Sequence, residues 1–542
     1  MDVDADVIVI GGGPAGTTAA TMLARKGWSV VLFERERFPR DHIGESLLPA
    51  SIPVLEELGA MPAIREAGFL PKWGATMVWG TSREPWSWYF RETNRAQPHS
   101  YQVWRPQFDQ ILLENSRRSG VDVREGHRVR EVLFDGATAV GVRVGDDAAE
   151  RTVRSRFVVD ASGQEGLLGR ARGLRRPDDQ FRNLAIFAYF TNAGRLPEPD
   201  DTNIFIESYS EGWSWVIPLH TGWTSVGFVM DSKVAQEAVR RDGLEATYVR
   251  QIGLAAHTGR MLSGAARVAG PTIIRDWSYV SEDIAGDGYV IAGDAACFID
   301  PLFSTGVHLA LSAGVLSSAY VTSALKDPAM REPAGRVYAS LYYNQYNLFR
   351  ELARLFYAGN RTTDSYFWEA RRLMGAGENT SPRDAFIRAA AGQPPQGYER
   401  IVLEHGRPPG EFVEGIRKIE GERADRARRI ESIPAVERAG RLLDAVPVLT
   451  EGIRVEREPV LGEGEFVWGN VITAPGRSDH VPVSRVVADL LRLCDGTASL
   501  HAIVERLAEG TDHGARQALA RVAVDAGSIL YLDGIIDDLR GM

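Results

Sequence analysis

Short apolar runs separated by glycine turns open the chain and recur later in it. Residues 5–10 are apolar and β-branched, which predicts a buried parallel strand. A glycine turn follows, and residues 17–26 then carry small and apolar side chains at helical spacing. Residues 28–33 predict a second strand, and the runs at 157–160 and 288–292 each lead into a turn with Gly and Asp. This order predicts a Rossmann-like α/β domain.

The glycine turn after the first strand matches the GxGxxG pattern of dinucleotide-binding loops. In this pattern Gly11 permits the tight turn, Gly13 lets the backbone approach a pyrophosphate, and Gly16 lets the helix pack on the strand. The helix N-terminus then faces the phosphates. Glu34 ends the second strand, 18 residues after Gly16, where a carboxylate can accept a hydrogen bond from a ribose hydroxyl. We expect a dinucleotide with an unphosphorylated adenosine ribose.

Composition bounds the other possibilities. With 542 residues, 44% hydrophobic and 25% charged, the chain is expected to form two or three globular domains. Its two cysteines, Cys297 and Cys494, cannot build a disulfide framework or a cysteine-rich metal site, so no metal is expected. The net charge of -10 argues against nucleic-acid partners. We find neither a basic signal region nor an apolar run of about 18 residues, so we expect no membrane and a cytoplasmic location.

Lysine is scarce in this chain. Only five of the 62 basic residues are lysine, namely Lys26, Lys72, Lys233, Lys326 and Lys418. Arginine is not deprotonated in proteins, so a retained lysine can mark a place where chemistry needs an amine.

Three further motifs lie beyond the glycine loop. Residues 44–49 read Gly-Glu-Ser-Leu-Leu-Pro, and Trp213 and Trp215 belong to a WxWxIP pattern. Residues 300–308 read Asp-Pro-Leu-Phe-Ser-Thr-Gly-Val-His. Together with the glycine loop, these motifs resemble those of the flavin-dependent halogenases, most closely the chloramphenicol-type and carrier-protein-type members. The resemblance covers roughly residues 1–360.

The resemblance implies a reaction. A halogenase of this family, here expected to be a chlorinase of specialised metabolism such as antibiotic biosynthesis, uses FADH2 and O2 to form a flavin C4a-hydroperoxide. This oxidises chloride or bromide to hypohalous acid. Trp213 and Trp215 would form a wall between flavin and substrate. Lys72, in an FxxKxGA segment, would hold the oxidised halogen or form a haloamine and deliver it to an electron-rich or activated carbon.

The resemblance also implies partners and binding residues. A separate flavin reductase is expected because no second glycine-rich fingerprint appears, and the substrate is a small molecule, free or tethered to a carrier protein. Halide would bind at Ser304, Thr305 and Gly306, with backbone N–H groups at a helix start. The FAD-binding residues are expected to be Gly11, Gly13, Ala15, Gly16, Glu34, Arg40, Glu45, Ser46, Arg105, Asp160, Asp276, Gly293, Asp294, Pro301 and Gly306.

Two positions indicate which members of the halogenase family this chain resembles in its cofactor attachment and its substrate. Asp276 matches the aspartate that chloramphenicol-type members bond covalently to the flavin, so FAD could be covalently attached here. Phe303 stands where tryptophan halogenases have a catalytic glutamate. An indole substrate is therefore less expected than a phenol, a pyrrole or an activated carbonyl carbon.

The expected domains follow from these segments. Residues 1–380 form the halogenase or monooxygenase-like core, with FAD-binding segments 1–80, 100–175 and 270–360 and a β-sheet substrate domain at 75–100 and 175–270. Residues 381–475 are expected to form a mostly helical extension. Residues 476–542 are expected to form a winged-helix-like module of three helices and two strands around Asp533. That module has a net charge of -3, which favours docking of a protein partner, cover for a pocket or structural support over DNA binding.

Two alternatives share the same FAD-binding pattern. An FAD-dependent aromatic monooxygenase would hydroxylate its substrate, oxidise nicotinamide without a partner protein and need no halide. A non-catalytic flavoprotein scaffold would bind flavin without turnover.

Overall fold

The computed structural model describes residues 3–145, 149–274, 277–357, 366, 370, 381–392, 420–474 and 481–542. The chain divides into two compact units. Unit 1 contains residues 1–406 and 463–465, and unit 2 contains residues 407–462 and 466–542. The three-domain division expected from the sequence stays a prediction.

The strands predicted near the N-terminus lie in an eight-stranded sheet of unit 1. Its strands are β1 (Ala5–Ile10), β2 (Val30–Glu34), β7 (Asp122–Glu125), β8 (Arg128–Asp135), β9 (Thr138–Gly145), β10 (Glu150–Asp160), β17 (Ala285–Gly286) and β18 (Tyr289–Ile291). Strands β7, β2, β1, β10 and β18 are parallel neighbours in that order. This is the strand order of doubly wound dinucleotide-binding folds, so the predicted α/β fold class is confirmed.

A second, nine-stranded sheet carries the tryptophan motif. Its strands are β4 (Gly74–Val78), β5 (Trp86–Tyr89), β11 (Arg175–Thr191), β12 (Ile204–Tyr209), β13 (Gly212–Pro218), β14 (Trp223–Asp231), β15 (Ala266–Ile274), β16 (Trp277–Ser281) and β19 (Cys297–Phe298). Except for the parallel pair β4 and β12, neighbouring strands are antiparallel. A separate antiparallel pair, β3 (Leu70–Lys72) and β6 (Ser100–Gln102), positions Lys72.

The helices of unit 1 cover the two sheets. They are α1 (Pro14–Arg25), α2 (Ser51–Glu57), α3 (Met61–Glu66), α4 (Arg105–Arg118), α5 (Leu167–Ala171), α6 (Ser232–Asp242), α7 (Leu244–Leu254), α8 (Ala256–Met261), α9 (Gly306–Lys326), α10 (Arg331–Tyr357) and α11 (Pro382–Ala390). Helices α1 and α9 pack closely, because a Cβ on Gly314 would lie 2.6 Å from the Thr18 Cβ.

Helix α9 corrects one expectation. Within the described part of the chain, this 21-residue helix is long and apolar enough to cross a membrane by length and composition. The expectation that no such segment exists is therefore wrong. Its whole apolar window is buried inside the structure. A core helix of this kind passes the same test, so α9 is weak evidence for a membrane span.

Unit 2 combines helices with short strands. Its elements are α12 (Glu420–Glu431), α13 (Ala435–Asp444), β20 (Val446–Leu449), β21 (Arg454–Leu461), β22 (Phe466–Thr473), β23 (Val481–Val483), α14 (Arg485–Leu493), α15 (Leu500–Leu507), α16 (His513–Leu532) and β24 (Ile536–Arg540). Residues 446–473 therefore contain three strands where a helical extension was expected.

The C-terminal helices form as predicted, but the two strands expected around Asp533 do not. Helix α16 continues to Leu532 because Leu530 and Tyr531 on its last turns pack into a core with Leu442 and Ile536. The single strand that follows, β24, pairs with β20, which lies outside the expected module. The winged-helix detail is thus not confirmed.

Candidate functional site

The glycine loop between β1 and α1 has the geometry that its sequence predicts. Gly11 has φ +101°, and a Cβ there would lie 2.3 Å from the Ala161 carbonyl oxygen. A Cβ on Gly16 would lie 2.0 Å from the Gly11 carbonyl oxygen. At Gly13 the nearest atom to a Cβ is a guanidinium nitrogen of Arg40, 3.6 Å away. The first two glycines therefore permit close packing, whereas Gly13 leaves space for a ligand to approach the backbone.

Glu34 holds this loop against the end of β2. Its carboxylate is buried and accepts hydrogen bonds from the backbone N–H groups of Gly12, at 2.7 Å, and Glu36, at 2.9 Å. A carboxylate has about four lone-pair sites, so these two bonds leave acceptor capacity for a ribose hydroxyl.

A buried arginine and aspartate organise the neighbouring loop. Arg105 makes a bidentate ion pair with Asp109, at 2.8 and 3.0 Å, and donates to the carbonyls of Ile43 and Gly44. Arg40 lies 3.4 Å from the same carboxylate. Burial alone would raise the pKa of Asp109, but the Arg105 guanidinium outweighs burial and lowers this pKa below its usual range. The carboxylate therefore stays ionised and fixes both guanidinium groups.

Glu45 and Ser46 lie at the end of this loop. The Glu45 side chain is buried, accepts a hydrogen bond from the Tyr189 hydroxyl at 3.0 Å, and has its pKa raised by burial. The Ser46 hydroxyl oxygen is also buried, and it has no hydrogen-bond partner within the described residues. Buried hydroxyl groups are normally paired, so Ser46 is a candidate contact for a bound molecule.

Asp160, at the end of β10, binds its own chain. Its carboxylate accepts hydrogen bonds from the backbone N–H groups of Ser162, at 3.1 Å, and Leu168, at 2.7 Å. Burial raises the pKa of Asp160. These contacts fix the turn that follows the strand.

The Gly293–Asp294 turn lies against the glycine loop, because a Cβ on Gly293, which has φ +64°, would lie 2.9 Å from the Ala15 Cβ. Burial raises the pKa of Asp294 to about 6, although Arg105 and Arg175 act in the opposite direction. The Asp294 side chain keeps partial solvent access. It is therefore available to a ligand in the same cleft.

The residues around this cleft fit FAD. Four features lie on loops at the carboxyl ends of parallel strands or next to them. They are the space at Gly13, the Arg40 guanidinium, the unpaired Ser46 hydroxyl and the partly accessible Asp294. Doubly wound folds bind dinucleotides at that edge. Asp276, the expected covalent attachment point, lies outside the described residues.

Lys72 ends strand β3 in a buried environment. The side chain is only 2% exposed, its ammonium nitrogen donates to the Leu47 carbonyl at 3.1 Å, and it lies 5.6 Å from the centroid of the Phe90 ring. No ion pair to Lys72 occurs in the part of the chain that the structure describes. Burial lowers the pKa of Lys72 to about 7. A large fraction of the amine is therefore neutral at physiological pH.

Trp213 and Trp215 alternate on β13, so both side chains lie on one face of the sheet. Their ring centroids are 6.0 Å apart. The Trp215 indole donates to the Ser225 hydroxyl at 3.1 Å, and Gly227 makes room for the ring, because a Cβ there would lie 2.1 Å from it. Both indoles are buried and held in place.

The turn before α9 is fixed by Asp300. Its carboxylate accepts from the Leu302 backbone N–H at 2.9 Å and caps one helical turn, Pro301–Phe303. The Phe303 ring packs against Phe356, with ring centroids 4.9 Å apart. The position where tryptophan halogenases place a glutamate is thus part of an aromatic cluster.

The start of α9 is open. Ser304 has φ +58°, in the left-handed region, and Thr305 is the N-cap of the helix without a side-chain capping hydrogen bond. A Cβ on Gly306 would meet no atom within 4 Å. The helix dipole and the open space at Gly306 suit a small anion.

A hydrogen-bond network that sequence reasoning missed connects this turn to the indoles. The Tyr357 hydroxyl donates to Asp300 at 2.8 Å and accepts from the Trp213 indole at 2.6 Å. Asn183 also donates to Asp300, at 3.1 Å. Burial raises the pKa of Asp300 to about 6. The WxWxIP and Asp-Pro-Leu-Phe motifs pointed to Trp213 and Asp300, but no sequence signal pointed to Tyr357 or Asn183.

A buried aromatic cluster, also missed, extends from Trp213 toward Lys72. Its successive rings lie 4.9 to 6.4 Å apart and are Trp213, Trp79, Phe356, Phe303, Phe386, Trp88 and Phe90. Because Lys72 contacts Phe90, this cluster links the indole pair, Phe303 and the lysine. Trp213 and Phe303 belong to motifs that the sequence shows, but nothing in the sequence indicates that the other rings join them in one cluster.

The comparison with known families identifies this arrangement. The family model described as tryptophan halogenase matches residues 6–98 and 91–399, most of the chain. The chain therefore belongs to this family of flavin-dependent halogenases, which are oxidoreductases.

Two curated relatives indicate the range of the family. A tryptophan 2-halogenase of Chondromyces crocatus is 35% identical over 377 residues, which cover 68% of this chain and 70% of the relative. A 1H-pyrrole-2-carbonyl-(peptidyl-carrier protein) chlorinase of Pseudomonas fluorescens is 34% identical over 348 residues, which cover 58% of this chain and 75% of the relative.

Two solved structures share the fold. The myxobacterial chondrochloren halogenase CndH is 41% identical, with a TM-score of 0.64, and the match covers 72% of this chain and 90% of that one. The flavin-dependent halogenase CmlS is 28% identical, with a TM-score of 0.69, and the match covers 99% of this chain and 96% of that one.

Proposed function

We propose that this protein attaches chlorine or bromine to an electron-rich carbon of a small molecule of specialised metabolism, and that Lys72 carries the oxidised halogen. The observation that supports this role is the buried amine of Lys72. Burial lowers its pKa to about 7, and among the described residues its one hydrogen bond goes to the Leu47 carbonyl. A neutral amine is a nucleophile toward electrophilic halogen, whereas an ammonium ion is not.

FAD would bind on the glycine loop, with Glu34, Arg40, Ser46 and Asp294 around it. Bound as FADH2, it would give two electrons to O2, so that one halide ion and one proton could be converted to hypohalous acid, with water and oxidised FAD as the other products. A separate flavin reductase would supply the FADH2. Whether Asp276 bonds the flavin is tested by acid precipitation, since flavin that remains entirely in the supernatant contradicts a covalent bond.

Chloride or bromide would bind at residues 304–306. Among the described residues, no side chain caps the start of α9, and no atom would lie within 4 Å of a Cβ on Gly306. The backbone N–H groups there would hold an anion without protonating it.

The two indoles would separate halide oxidation from substrate halogenation. Trp213 is held through Tyr357 to Asp300, and Trp215 is held by Ser225. A fixed wall admits hypohalous acid but keeps an organic substrate from the flavin. At Lys72 the oxidised halogen replaces a hydrogen on the substrate carbon, and the oxygen of hypohalous acid leaves as water.

The substrate we propose is a phenol, a pyrrole or an activated carbonyl carbon, free or tethered to a carrier protein. Phe303 packs in the aromatic cluster and brings no carboxylate toward an indole N–H. The similarity to a carrier-protein chlorinase supports a tethered pyrrole as the substrate. Because the chain is also similar to a tryptophan 2-halogenase, indoles must be tested as substrates beside pyrroles.

The test is product mass spectrometry. The protein, FAD, a flavin reductase and O2 are incubated with chloride or bromide and with phenols, pyrroles and indoles, free or carrier-bound. We expect an isotope pattern that changes with the halide, and no halogenated product from Lys72→Met. The control Lys233→Met changes an exposed lysine and should leave product formation unchanged. Halogenation by Lys72→Met at the wild-type rate, or hydroxylated products alone, would contradict the proposal.

A further inference from the structure

Three unpaired polar atoms lie on or beside strand β6, which pairs with the strand of Lys72. The hydroxyl oxygens of Ser46 and Ser100 and the amide oxygen of Gln102 are buried and have no hydrogen-bond partner within the described residues. All three residues are at most 5% exposed. Most buried polar groups are paired in native proteins, so three unpaired ones on or next to a single strand require an explanation.

Strand pairing places these groups on one face. Lys72 is directly opposite Ser100 in the antiparallel pair of β3 and β6, and Gln102 is two residues beyond Ser100. Ser46 forms an isolated bridge opposite Gln102. Directly opposed residues, and residues two apart on one strand, point to the same face. We call the group formed by Lys72, Ser100 and Gln102 the polar cradle. Ser46, an expected FAD contact, borders it.

The orientation of the Gln102 amide is fixed from its other end. Its amide nitrogen donates to the Thr202 carbonyl at 3.2 Å, so the unpaired amide oxygen is an acceptor. In the part of the chain that the structure describes, Lys72 makes one hydrogen bond, to the Leu47 carbonyl, although an amino group has more than one N–H. The cradle thus offers donors from Lys72 and Ser100, acceptors from Ser100 and Gln102, and no carboxylate. A small neutral molecule with both an O–H donor and an acceptor oxygen matches this set.

We propose that the polar cradle binds hypohalous acid beside Lys72, with the acid O–H donating to the Gln102 amide oxygen and its oxygen accepting from Ser100 or Lys72. This inference rests on the proposed function. No covalent bond forms or breaks in the binding step. Phe303 has no carboxylate that could bind the acid, so the hydrogen-bond partners of the acid are the neutral groups of the cradle. A carboxylate beside Lys72 would favour its protonated form, whereas neutral acceptors leave the amine free to react.

The test follows oxidised bromine without any organic substrate. Protein with FADH2, O2 and bromide is divided between two measurements. Free hypobromous acid is measured with monochlorodimedone in an ultrafiltrate that contains no protein, and the oxidising bromine held by the protein is titrated with iodide in the undiluted retentate. The variants are Ser100→Ala with Gln102→Leu, and Lys72→Met. The matched control is Tyr101→Phe, which changes the residue between them on the opposite face of β6.

We expect the wild type and Tyr101→Phe to retain similar amounts of oxidising bromine. The double variant should retain about tenfold less and release correspondingly more, because losing hydrogen bonds to the bound acid weakens binding by about that factor. Ser100→Ala alone should lose less of the retained bromine. This single variant replaces the double variant in the test if the double variant does not bind FAD.

The other outcomes separate the two proposals. Equal retention in all cradle variants, or a wild type that releases oxidised bromine and retains none, overturns the cradle and leaves the proposed function intact. A wild type with no oxidised bromine in either measurement overturns the proposed function, and the cradle with it.

Discussion

Replacing Lys72 with methionine should stabilise the folded protein at neutral pH while it removes halogenation. The ammonium form of Lys72 is unfavourable in its buried position, and burial lowers the pKa from 10.5 to about 7. The unfolded chain therefore binds a proton that the folded chain releases between these pH values. Methionine has a similar length and no charge to bury, so it avoids this cost.

The size of the effect follows from the pKa difference. A change from 10.5 to about 7 corresponds to ~5 kcal/mol of lost stability below pH 7, since one pKa unit is about 1.4 kcal/mol. The variant leaves the Leu47 carbonyl without its donor, which costs about 1–3 kcal/mol. We expect a net gain of roughly 2–4 kcal/mol for Lys72→Met below neutral pH. The gain should shrink as pH rises from about 7 toward 10.5, where both states bind no proton on this lysine.

The assay is urea unfolding of the wild type, Lys72→Met and Lys233→Met at about pH 6, 8 and 10. Tryptophan fluorescence reports mainly on unit 1, because Trp468 is the single tryptophan of 12 in the unit 2 sequence. Lys233→Met changes an exposed lysine, so its free energy of unfolding should equal that of the wild type. A Lys72→Met variant that is less stable than wild type near pH 6, or a gain that does not change with pH, would refute the reasoning.

Three further predictions concern FAD and the indoles. Gly16→Ala places a Cβ 2.0 Å from the Gly11 carbonyl oxygen, so the purified variant should lack bound flavin and show a lower melting temperature. Arg105→Lys loses a bidentate ion pair and should weaken FAD binding by about tenfold or more, measured by flavin fluorescence titration; unchanged affinity would count against this role. Trp213→Phe removes the hydrogen bond to Tyr357 and should yield less halogenated product and more hydrogen peroxide per FADH2 consumed; unchanged coupling would exclude a wall function.

The glycine loop of the proposed FAD site could be predicted because its signals are local. Gly16 is required by its contact with the Gly11 carbonyl oxygen, and Gly11 is required by its own positive φ. Both requirements lie within a single strand, turn and helix, and the sequence shows these elements in order. Glu34 follows from its place at the end of the second strand. Lys72 was found through its motif, but its burial, and hence its lowered pKa, became visible only in the fold.

The remaining features depend on contacts between distant segments. Asn183 and Asp300 are 117 positions apart, and Asp300 and Tyr357 are 57 positions apart, so no spacing rule could join them. The polar cradle needs the pairing register of β3 and β6. In unit 2, strand β21 mixes proline with charged residues such as Glu456 and Arg457. Its strand conformation depends on pairing with β22, which the local pattern does not reveal.

The most direct test of the account is anomalous diffraction from crystals of the FAD complex that contain bromide. Bromide should lie at the backbone N–H groups of Thr305 and Gly306, on the flavin side of Trp213 and Trp215. Lys72 should lie beyond the indoles, buried and without a halide contact. A bromide ion bound directly to Lys72, or an open passage between the flavin ring and the substrate pocket, would contradict the separation of halide oxidation from halogen transfer.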